Sequence, residues 1–600
     1  MCNRKTYMNM KKYLYIAMCS ALCVVLAGCQ DFLDVNTDPD TPITITLDQA
    51  LPTACFYASQ LNYDHAEYGV YMCQALTTGG KSQTGSYPYS QGWEFLGVNR
   101  HPMWRRHFYD LGTNIAKMVE IAEQQESLNY ELIGRTIMLQ STMMTTDLFG
   151  DMPRSEVYQK SSPKYDSQEE VYEWLFQEAD ELVKLYQDPA WTNGEKALPI
   201  PAKSDRIYQG DIRKWGVYAK ALRCRLWLRK LPNWDNTPAT CQRIIQMVDD
   251  VLNDPNWEEP RYNYPGGVTE SNCPWGSTCP KINSWESRDN RLASSIPTTF
   301  FAKALLGGYT QKHAQWGFAL DPRADRMMTP RAGSSAVGGE AMRWLESNFG
   351  MDNSMKVTYY PDLYAGNGHN PYTQNTGYIA LITEEELMFI KAEAQYWSGD
   401  KAGAYNTTVE ATKLNMDRYE VQHTTKAAQR IYDNFFDVRL PGATEFTIAD
   451  LMQQKYVAMY LQEEQWTDMR RYNYSSKTNG IYYDGVPVYT VKTRAGVRYT
   501  PEGYTGEYSL RRPYNLYAAY WDQDDCYEDP SSKAVYSPNA WVNRLNPDTE
   551  TETKYNKAEL IRIGAANADG KVDYHWMQKH MIWAMKNSPV CTVSNSIEWK

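Results

Sequence analysis

The sequence lacks the short motifs that mark several large classes of enzyme. It has no glycine-rich phosphate-binding loop, no His-Glu-x-x-His helix and no Gly-x-Ser-x-Gly turn. Carboxylates do stand close together, as in Glu384 with Glu386 and Glu463 with Glu464, and glycoside hydrolysis needs two acids across a cleft. These pairs lie on predicted helices at a spacing typical of a solvent-exposed face, where capping and solvation explain them. The sequence therefore predicts a protein that is not an enzyme.

Complete metal-binding motifs are also missing. The segment 567–573 echoes part of a calcium-binding loop, but Ala565 and Trp576 stand where the first and last ligands of that loop belong. Cys273 and Cys279 do not have the spacing of a zinc knuckle, and no histidine lies near them. We expect a polar turn at 567–573 and no metal or cofactor. Whether the two cysteines form a disulfide stays open, since export would permit one.

Long apolar runs are absent except at the N-terminus. Four basic residues precede the apolar run Tyr13–Leu26, and Ala27-Gly28-Cys29 follow it. The run is too short for a membrane-spanning helix and has the flanks of a secretory signal. Residues 26–29 also resemble a lipobox, the bacterial site at which a cysteine is lipidated and the leader removed. The sequence therefore predicts a signal peptide over 1–28 and a lipid anchor on Cys29; an ordinary signal peptide with a chance cysteine is the alternative.

The sequence has fewer basic than acidic residues, with 61 Lys and Arg against 72 Asp and Glu. The formal net charge is −11, and removal of the predicted leader takes away four positive charges and no negative ones, which leaves −15. An acidic surface argues against nucleic acid and anionic lipid as partners, so contact with the membrane is expected through the lipid anchor only. It is compatible with a neutral ligand.

Helical patterns dominate two parts of the chain. Ser167 with Glu170 and Thr383 with Glu386 have the spacing of capping boxes ahead of apolar stripes. Another periodic stripe ends near Gly150. Further helices are predicted at about 401–416 and 447–472, and Arg223, Arg225 and Arg229 are expected to pair with acids between helices. The small residues Ala392, Ala404 and Ala411 resemble those of a tetratricopeptide helix pair, which let two helices approach closely.

The remaining stretches are rich in Gly, Pro, Asn, Trp and Tyr and show little periodicity. We expect a tether followed by one domain, in which helical scaffold alternates with loop-rich regions. The predicted boundaries are 29–45 for the tether, 46–600 for the domain, about 46–254 and 381–474 for the scaffold, and about 255–380 and 475–600 for the loop-rich regions.

Several short motifs follow the predicted lipobox in a fixed order. They are Asp31–Pro39, Thr146–Pro153, Lys214–Arg229, Asp321–Arg323, Thr383–Ala394, Trp466–Arg471 and Arg511–Tyr514. In this order they resemble the motifs of the SusD/RagB-like outer-membrane lipoproteins of Bacteroidetes, in particular the SusD-like branch with an early Asn-x-Asp-Pro. The chain lacks the Trp-Trp-Asp ending of many relatives, so its Tyr-rich C-terminal region is expected to differ from theirs.

The resemblance implies a mainly α-helical SusD-like fold with tetratricopeptide-like helix pairs and a loop-rich insertion carrying short strands. It also implies exposure at the cell surface and a partner, a SusC-like TonB-dependent transporter. We therefore predict a lipoprotein that binds a nutrient, a glycan or oligosaccharide, and passes it to the transporter. A peptide-binding lipoprotein of the same architecture, a secreted glycoside hydrolase and a structural or adhesive surface protein are the alternatives.

The sequence holds 46 Tyr and 19 Trp, and flat aromatic rings either pack a core or stack on sugars and peptides. Loop-borne rings are the candidates for an aromatic platform, because rings on helices are expected to be buried. The candidate platform residues are Tyr87, Tyr89, Trp93, Tyr262, Tyr264, Trp275 and Trp285. The alternative for each is that it only pins a loop to the scaffold.

Overall fold

In the computed structural model the chain is described over part of its length. The described residues are 45–78, 101–278, 292, 295–307, 321–329, 361–364, 370–440, 442–492, 507–510, 527–528, 535–536, 541–584 and 590–593. The predicted signal peptide, Cys29 and the tether up to residue 44 lie outside them.

Helices make up most of the described residues. Those of six or more residues are α1 Leu47–Met72, α2 Gly112–Gln124, α3 Leu128–Phe149, α4 Gln168–Leu185, α5 Ile212–Leu228, α6 Pro238–Leu252, α7 Glu384–Ser398, α8 Lys401–Arg418, α9 Lys426–Arg439, α10 Ile448–Ala458, α11 Glu464–Arg471, α12 Thr549–Tyr555 and α13 Lys557–Arg562. Shorter α- or 3-10-helical turns lie at Pro102–Arg105, Pro189–Thr192, Thr269–Ser271, Ala324–Met327, Tyr574–Gln578 and Ile582–Ala584, and π-helical turns at Arg106–Leu111 and Phe300–Leu305. None of these helices combines the length and apolarity needed to cross a membrane.

Strands in the described residues are two or three residues long and pair only in antiparallel twos. The pairs are β1 Leu76–Thr78 with β5 Ser295–Pro297, β2 Met152–Pro153 with β3 Tyr165–Asp166, β4 Arg261–Asn263 with β6 Tyr378–Ala380, β7 Ile481–Tyr483 with β12 Cys591–Val593, β8 Thr490–Lys492 with β9 Glu507–Ser509, and β10 Tyr527–Glu528 with β11 Val535–Tyr536. In the β4–β6 pair, Arg261 lies opposite Ala380. The predicted fold class, mainly α with short strands in the loop-rich parts, is confirmed.

Neighbouring helices pack against one another, and α1 contacts α2, α3 and α11. Residues 58–72 of α1 are all buried, so this helix is enclosed on every side. The pair α7–α8 is the tetratricopeptide-like one that the sequence predicts. Ala392, Ala404 and Ala411 are fully buried where the two helices meet. Gly399 ends α7 in the left-handed region with a φ of 94°, and the Asp400 carboxylate then caps α8.

The predicted helix ends are confirmed at three places, and one predicted helix is wrong. Ser167 and Glu170 form the capping box of α4, and Gly150 ends α3. Thr383 caps α7, but the Glu386 side chain turns away from the cap. The predicted helix over 447–472 is two helices, α10 and α11. Leu461 between them has a φ of 63°, a left-handed conformation that an α-helix does not accommodate.

Candidate ligand-binding site

Three predicted platform residues, Tyr262, Tyr264 and Trp275, lie in the described part of the chain, and all are buried. The Tyr264 phenol accepts a hydrogen bond from Gln60 Nε2 at 2.7 Å, and the Trp275 indole meets the Tyr63 ring edge-on with centroids 4.7 Å apart. Both partners belong to α1. These rings pin the segment 261–278 to the scaffold and offer no free face to a ligand. This is the alternative role that the sequence leaves open for each of them.

The other four platform candidates lie outside the described residues. They are Tyr87, Tyr89, Trp93 and Trp285. A platform built from them stays a prediction. The disulfide also stays open: Cys273 is buried with its Sγ 3.5 Å from the carbonyl oxygen of Tyr372, whereas Cys279 lies outside the described residues.

The predicted pairing of arginines with acids between helices is confirmed. Arg225 of α5 and Arg229, the C-cap of that helix, are fully buried. Arg225 Nε donates to Glu386 of α7 at 2.7 Å. Arg229 Nη2 lies 2.9 Å from Asp147 of α3 and 2.6 Å from Glu464 of α11. The basic stripe of α5 therefore ties four helices together.

The expected exposure of Glu386, Glu463 and Glu464 is wrong. All three are buried, because they lie against arginines: Glu386 and Glu463 against Arg225, and Glu464 against Arg229. Burial and the nearby glutamates raise the pKa of Glu463 to about 8, although Arg225 Nη1 lies 2.7 Å away. Arg229 and Arg225 outweigh burial at Glu464 and lower its pKa to about 2. These acids are core ion-pair partners and not a dyad across a cleft.

The echo of a calcium-binding loop is a polar turn, as predicted. Asn567 Oδ1 accepts hydrogen bonds from the backbone N–H groups of Asp569 and Lys571, each at 3.0 Å. Its oxygen is therefore used by the turn itself. Among the described residues, no group of three or more His, Cys, Asp or Glu side chains is arranged to hold a metal ion.

Exposed aromatic rings in the described part of the chain point to a different surface. Tyr109, Tyr158 and Tyr555 are 48%, 43% and 58% exposed, and we call these three residues the tyrosine patch. The Tyr158 hydroxyl bonds to the carbonyl oxygen of Phe108, the neighbour of Tyr109, and Ser162, four residues after Tyr158, donates to the carbonyl oxygen of Tyr555 at 2.8 Å. The three tyrosines therefore lie on adjoining segments although they come from distant parts of the chain. The fourth exposed aromatic residue, Trp234, packs on Tyr172 instead.

Tyr158 is held in place by an unusual backbone. Its φ is +65°, a conformation that costs about 1–3 kcal/mol for a bulky residue and that persists only where surrounding contacts impose it. The Tyr158 hydroxyl donates a hydrogen bond to the carbonyl oxygen of Phe108 at 3.1 Å. A Cβ atom at Gly112 would overlap that hydroxyl, so this glycine permits the close approach. The ring is fixed before any ligand arrives.

Tyr109 is positioned by the π-helical turn Arg106–Leu111. The Arg106 guanidinium is buried and lies 3.1 Å from Asp64 and 2.6 Å from Asp110. These ion pairs hold the inner side of the turn against α1 and leave Tyr109 on the outside. Single π-helical turns occur frequently at functional sites.

Two carboxylates lie near the tyrosine patch and serve the scaffold. Asp548 caps α12, the helix that ends at Tyr555, and Glu552 accepts a hydrogen bond from the Tyr165 phenol at 2.7 Å. Burial and Asp548 raise the pKa of Glu552. Burial and these two acids also raise the pKa of Tyr109, whose phenol stays neutral and able to donate a hydrogen bond.

No pattern in the sequence indicates that these tyrosines form one surface. They are separated by 49 and 397 positions, and no shared motif or spacing links them. The left-handed backbone of Tyr158 and the π-helical turn under Tyr109 depend on tertiary contacts. A polar Gln-Lys-Ser-Ser-Pro run directly after Tyr158 is the one local signal of a surface loop.

Solved structures share this fold at low sequence identity. A SusD homolog from Bacteroides uniformis is 16% identical, with a TM-score of 0.57 over 90% of this chain and 99% of the other. One from Parabacteroides distasonis is 18% identical, with a TM-score of 0.56 over 91% and 99%. A chitin-binding SusD homolog from Flavobacterium johnsoniae is 14% identical, with a TM-score of 0.55 over 89% and 95%. These likenesses show the fold.

Sequence comparison identifies the family directly. No curated protein matches the chain in sequence. The family model SusD-like, described as starch-binding and associating with the outer membrane, matches residues 54–482, well over half of the chain. This span includes the helix pair α7–α8, the arginines of α5 and two of the three patch tyrosines. The chain therefore belongs to the SusD-like family.

Proposed function

We propose that this protein is a lipoprotein of the bacterial outer membrane, exposed at the cell surface, that binds a glycan or oligosaccharide and passes it to a SusC-like TonB-dependent transporter. The observation that carries the proposal is the tyrosine patch, three exposed rings held by a rigid helical scaffold. The family description as starch-binding, and the chitin-binding homolog of the same fold, support a saccharide as the ligand.

The chemistry of the patch suits a sugar. Aromatic rings pack against the apolar C–H faces of a pyranose, and phenol hydroxyls hydrogen-bond to its hydroxyls. In the described part of the chain, the phenols of Tyr109 and Tyr555 make no hydrogen bond of their own, whereas the hydroxyl of Tyr158 is used to fix its ring. Because Tyr158 is already ordered, little conformational entropy is lost when a ligand stacks on it.

Removing the three rings tests the site. The chain from residue 30 is first screened on a glycan and peptide array, and the best saccharide is then titrated by calorimetry. With each stacking ring contributing on the order of 1 kcal/mol, Tyr109→Ala, Tyr158→Ala and Tyr555→Ala together should weaken binding by about a hundredfold. Trp234→Ala, an exposed ring outside the patch, is the control and should leave the affinity unchanged.

The outcomes separate the alternatives. Saccharide binding that survives the triple substitution would move the site elsewhere, for instance to the predicted Trp93 loop, which Trp93→Ala tests. An array signal on peptides alone would indicate that the ligand is a peptide and not a glycan. Release of shorter saccharides during incubation would indicate a hydrolase.

The anchor is tested separately. Cys29→Ala should release the protein from the membrane fraction into the soluble fraction, because acyl chains on this cysteine are proposed as the only attachment. Fractionation followed by immunoblotting measures the distribution. Retention of the variant in the membrane fraction would contradict the proposed anchor without bearing on the glycan site.

A further inference from the structure

The ring of Tyr555 already holds a cation. The ammonium group of Lys554 lies over this ring, 5.0 Å from its centroid, a distance at which the negative face of an aromatic ring attracts positive charge. Lys554 forms no ion pair within the described part of the chain. The tyrosine patch therefore attracts an ammonium group without the help of a directly paired acid.

Within the described part of the chain, the two acids beside the patch lack counter-ions. Asp548 accepts a hydrogen bond from the backbone N–H of His101 at 3.0 Å, and Glu552 accepts one from Tyr165 at 2.7 Å. Neither carboxylate forms an ion pair with any described residue. Burial lowers the pKa of His101 to about 4, so its neutral ring supplies no positive charge there either.

Two basic side chains near the patch, Lys160 and Arg105, are neutralised by acids of their own. Lys160 lies 2.7 Å from Glu156. Arg105 lies 3.4 Å from Asp110, which Arg106 also contacts. Among these described residues, what remains at the patch is the carboxylate of Asp548, three ring faces of negative potential and the ammonium group of Lys554, whereas the raised pKa of Glu552 favours its neutral form.

We propose that the tyrosine patch takes a saccharide that carries free amino groups, such as an oligomer of glucosamine, and that Lys554 occupies the position of the ligand's ammonium group until the ligand displaces it. This inference rests on the proposed glycan-binding function and adds the charge of the ligand. Ring faces bind the sugar, as in the uncharged case. The Asp548 carboxylate and the ring quadrupoles add an attraction that only a protonated amine receives.

The test compares a glucosamine hexamer with an N-acetylglucosamine hexamer. Both are titrated by calorimetry into the mature lipoprotein in detergent, at a mildly acidic pH that protonates the free amines. We expect the glucosamine hexamer to bind at least about tenfold more tightly, equivalent to about 1.4 kcal/mol, and its advantage to shrink as salt is added.

Substitution of Lys554 gives the sharper result. Lys554→Gln removes the competing ammonium group and should tighten binding of the glucosamine hexamer severalfold, while binding of the acetylated hexamer changes little. Lys160→Gln also removes one surface charge, but from an ion pair outside the patch, and should change neither affinity. Tyr555→Ala should abolish the preference for the free amine.

Failure of this inference can be told from failure of the proposed function. Equal binding of the two hexamers, with no response to Lys554→Gln, would overturn the amine preference and leave glycan binding intact. Weaker binding of the glucosamine hexamer after Lys554→Gln would overturn it too, since the lysine would then assist the ligand. If neither hexamer binds and the array is blank for saccharides, both proposals fall.

Discussion

Trp275 is an example of a ring whose role is decided by one contact. Its segment is rich in Gly, Pro and Ser, and such a composition is typical of a surface loop that displays a side chain. The ring is nevertheless 1% exposed, because Tyr63 of α1 provides an apolar partner more than two hundred positions earlier. Sequence alone predicts that the segment is a loop, but not whether its rings face outward or inward.

Removal of this indole should therefore act on stability. Trp275→Ala leaves a cavity beside α1 and should lower the free energy of unfolding by about 3–5 kcal/mol. Trp234→Ala, at a ring that is 36% exposed, should lower it by less. Denaturant unfolding followed by circular dichroism gives both values. An unchanged midpoint for Trp275→Ala, combined with loss of saccharide binding, would return Trp275 to the binding platform.

At the scale of the element, helix starts could be predicted where the signal is local. The capping box of Ser167 and Glu170 needs only residues within one turn, and the structure has it. Thr383 has the same local pattern, but Glu386 is drawn to Arg225 on another helix, so the second half of that box does not form. The break at Leu461 also depends on distant residues, since Glu463 and Glu464 shortly after it turn toward arginines that are far away in sequence.

A substitution at Ser167 measures how much such a local signal contributes. The Ser167 hydroxyl accepts from the backbone N–H of Glu170, and Ser167→Ala leaves that donor without its partner. The free energy of unfolding should fall by about 1 kcal/mol, whereas Ser167→Asp, which keeps a capping oxygen, should stay near the wild type. Denaturant midpoints of the two variants and the wild type, measured in parallel, test this expectation. An equal decrease in the free energy of unfolding of both variants would mean that the capping oxygen does not stabilise the start of α4.

At the scale of the molecule, the helical fold and its alternation with loop-rich regions could be predicted from periodicity, and the order of motifs led to the family. The candidate site could not be predicted in the same way. The tyrosine patch joins positions 109, 158 and 555, and only the packing of the π-helical turn, the loop after α3 and α12 brings them together. The charged core has the same origin, since α5 supplies arginines whose acids come from three other helices.

The charged core also gives the whole molecule a pH dependence with two opposite contributions. The folded protein keeps a proton on Glu463 up to a pH of about 8, whereas the unfolded chain releases it near the ordinary carboxyl value of 4.5. The free energy of unfolding therefore falls as the pH rises from about 4.5 to about 8. Glu464, with a folded pKa of about 2, contributes stability that is complete above 4.5 and lost as the pH falls toward 2.

Neutral isosteres at these two adjacent positions should therefore have different effects. Glu463→Gln removes a carboxyl whose ionisation is opposed by burial and by the neighbouring glutamates. Relative to the wild type, the variant should therefore gain stability as the pH rises from 4.5 to 8. Glu464→Gln deprives Arg229 of a buried partner and should lower the free energy of unfolding by about 3–5 kcal/mol at pH 8, with the difference shrinking as the pH falls toward 2. Thermal and denaturant unfolding across this range measures both curves. If the free energy of unfolding of both variants follows the same pH dependence as the wild type, the pKa values of Glu463 and Glu464 are not set by their contacts with Arg225 and Arg229.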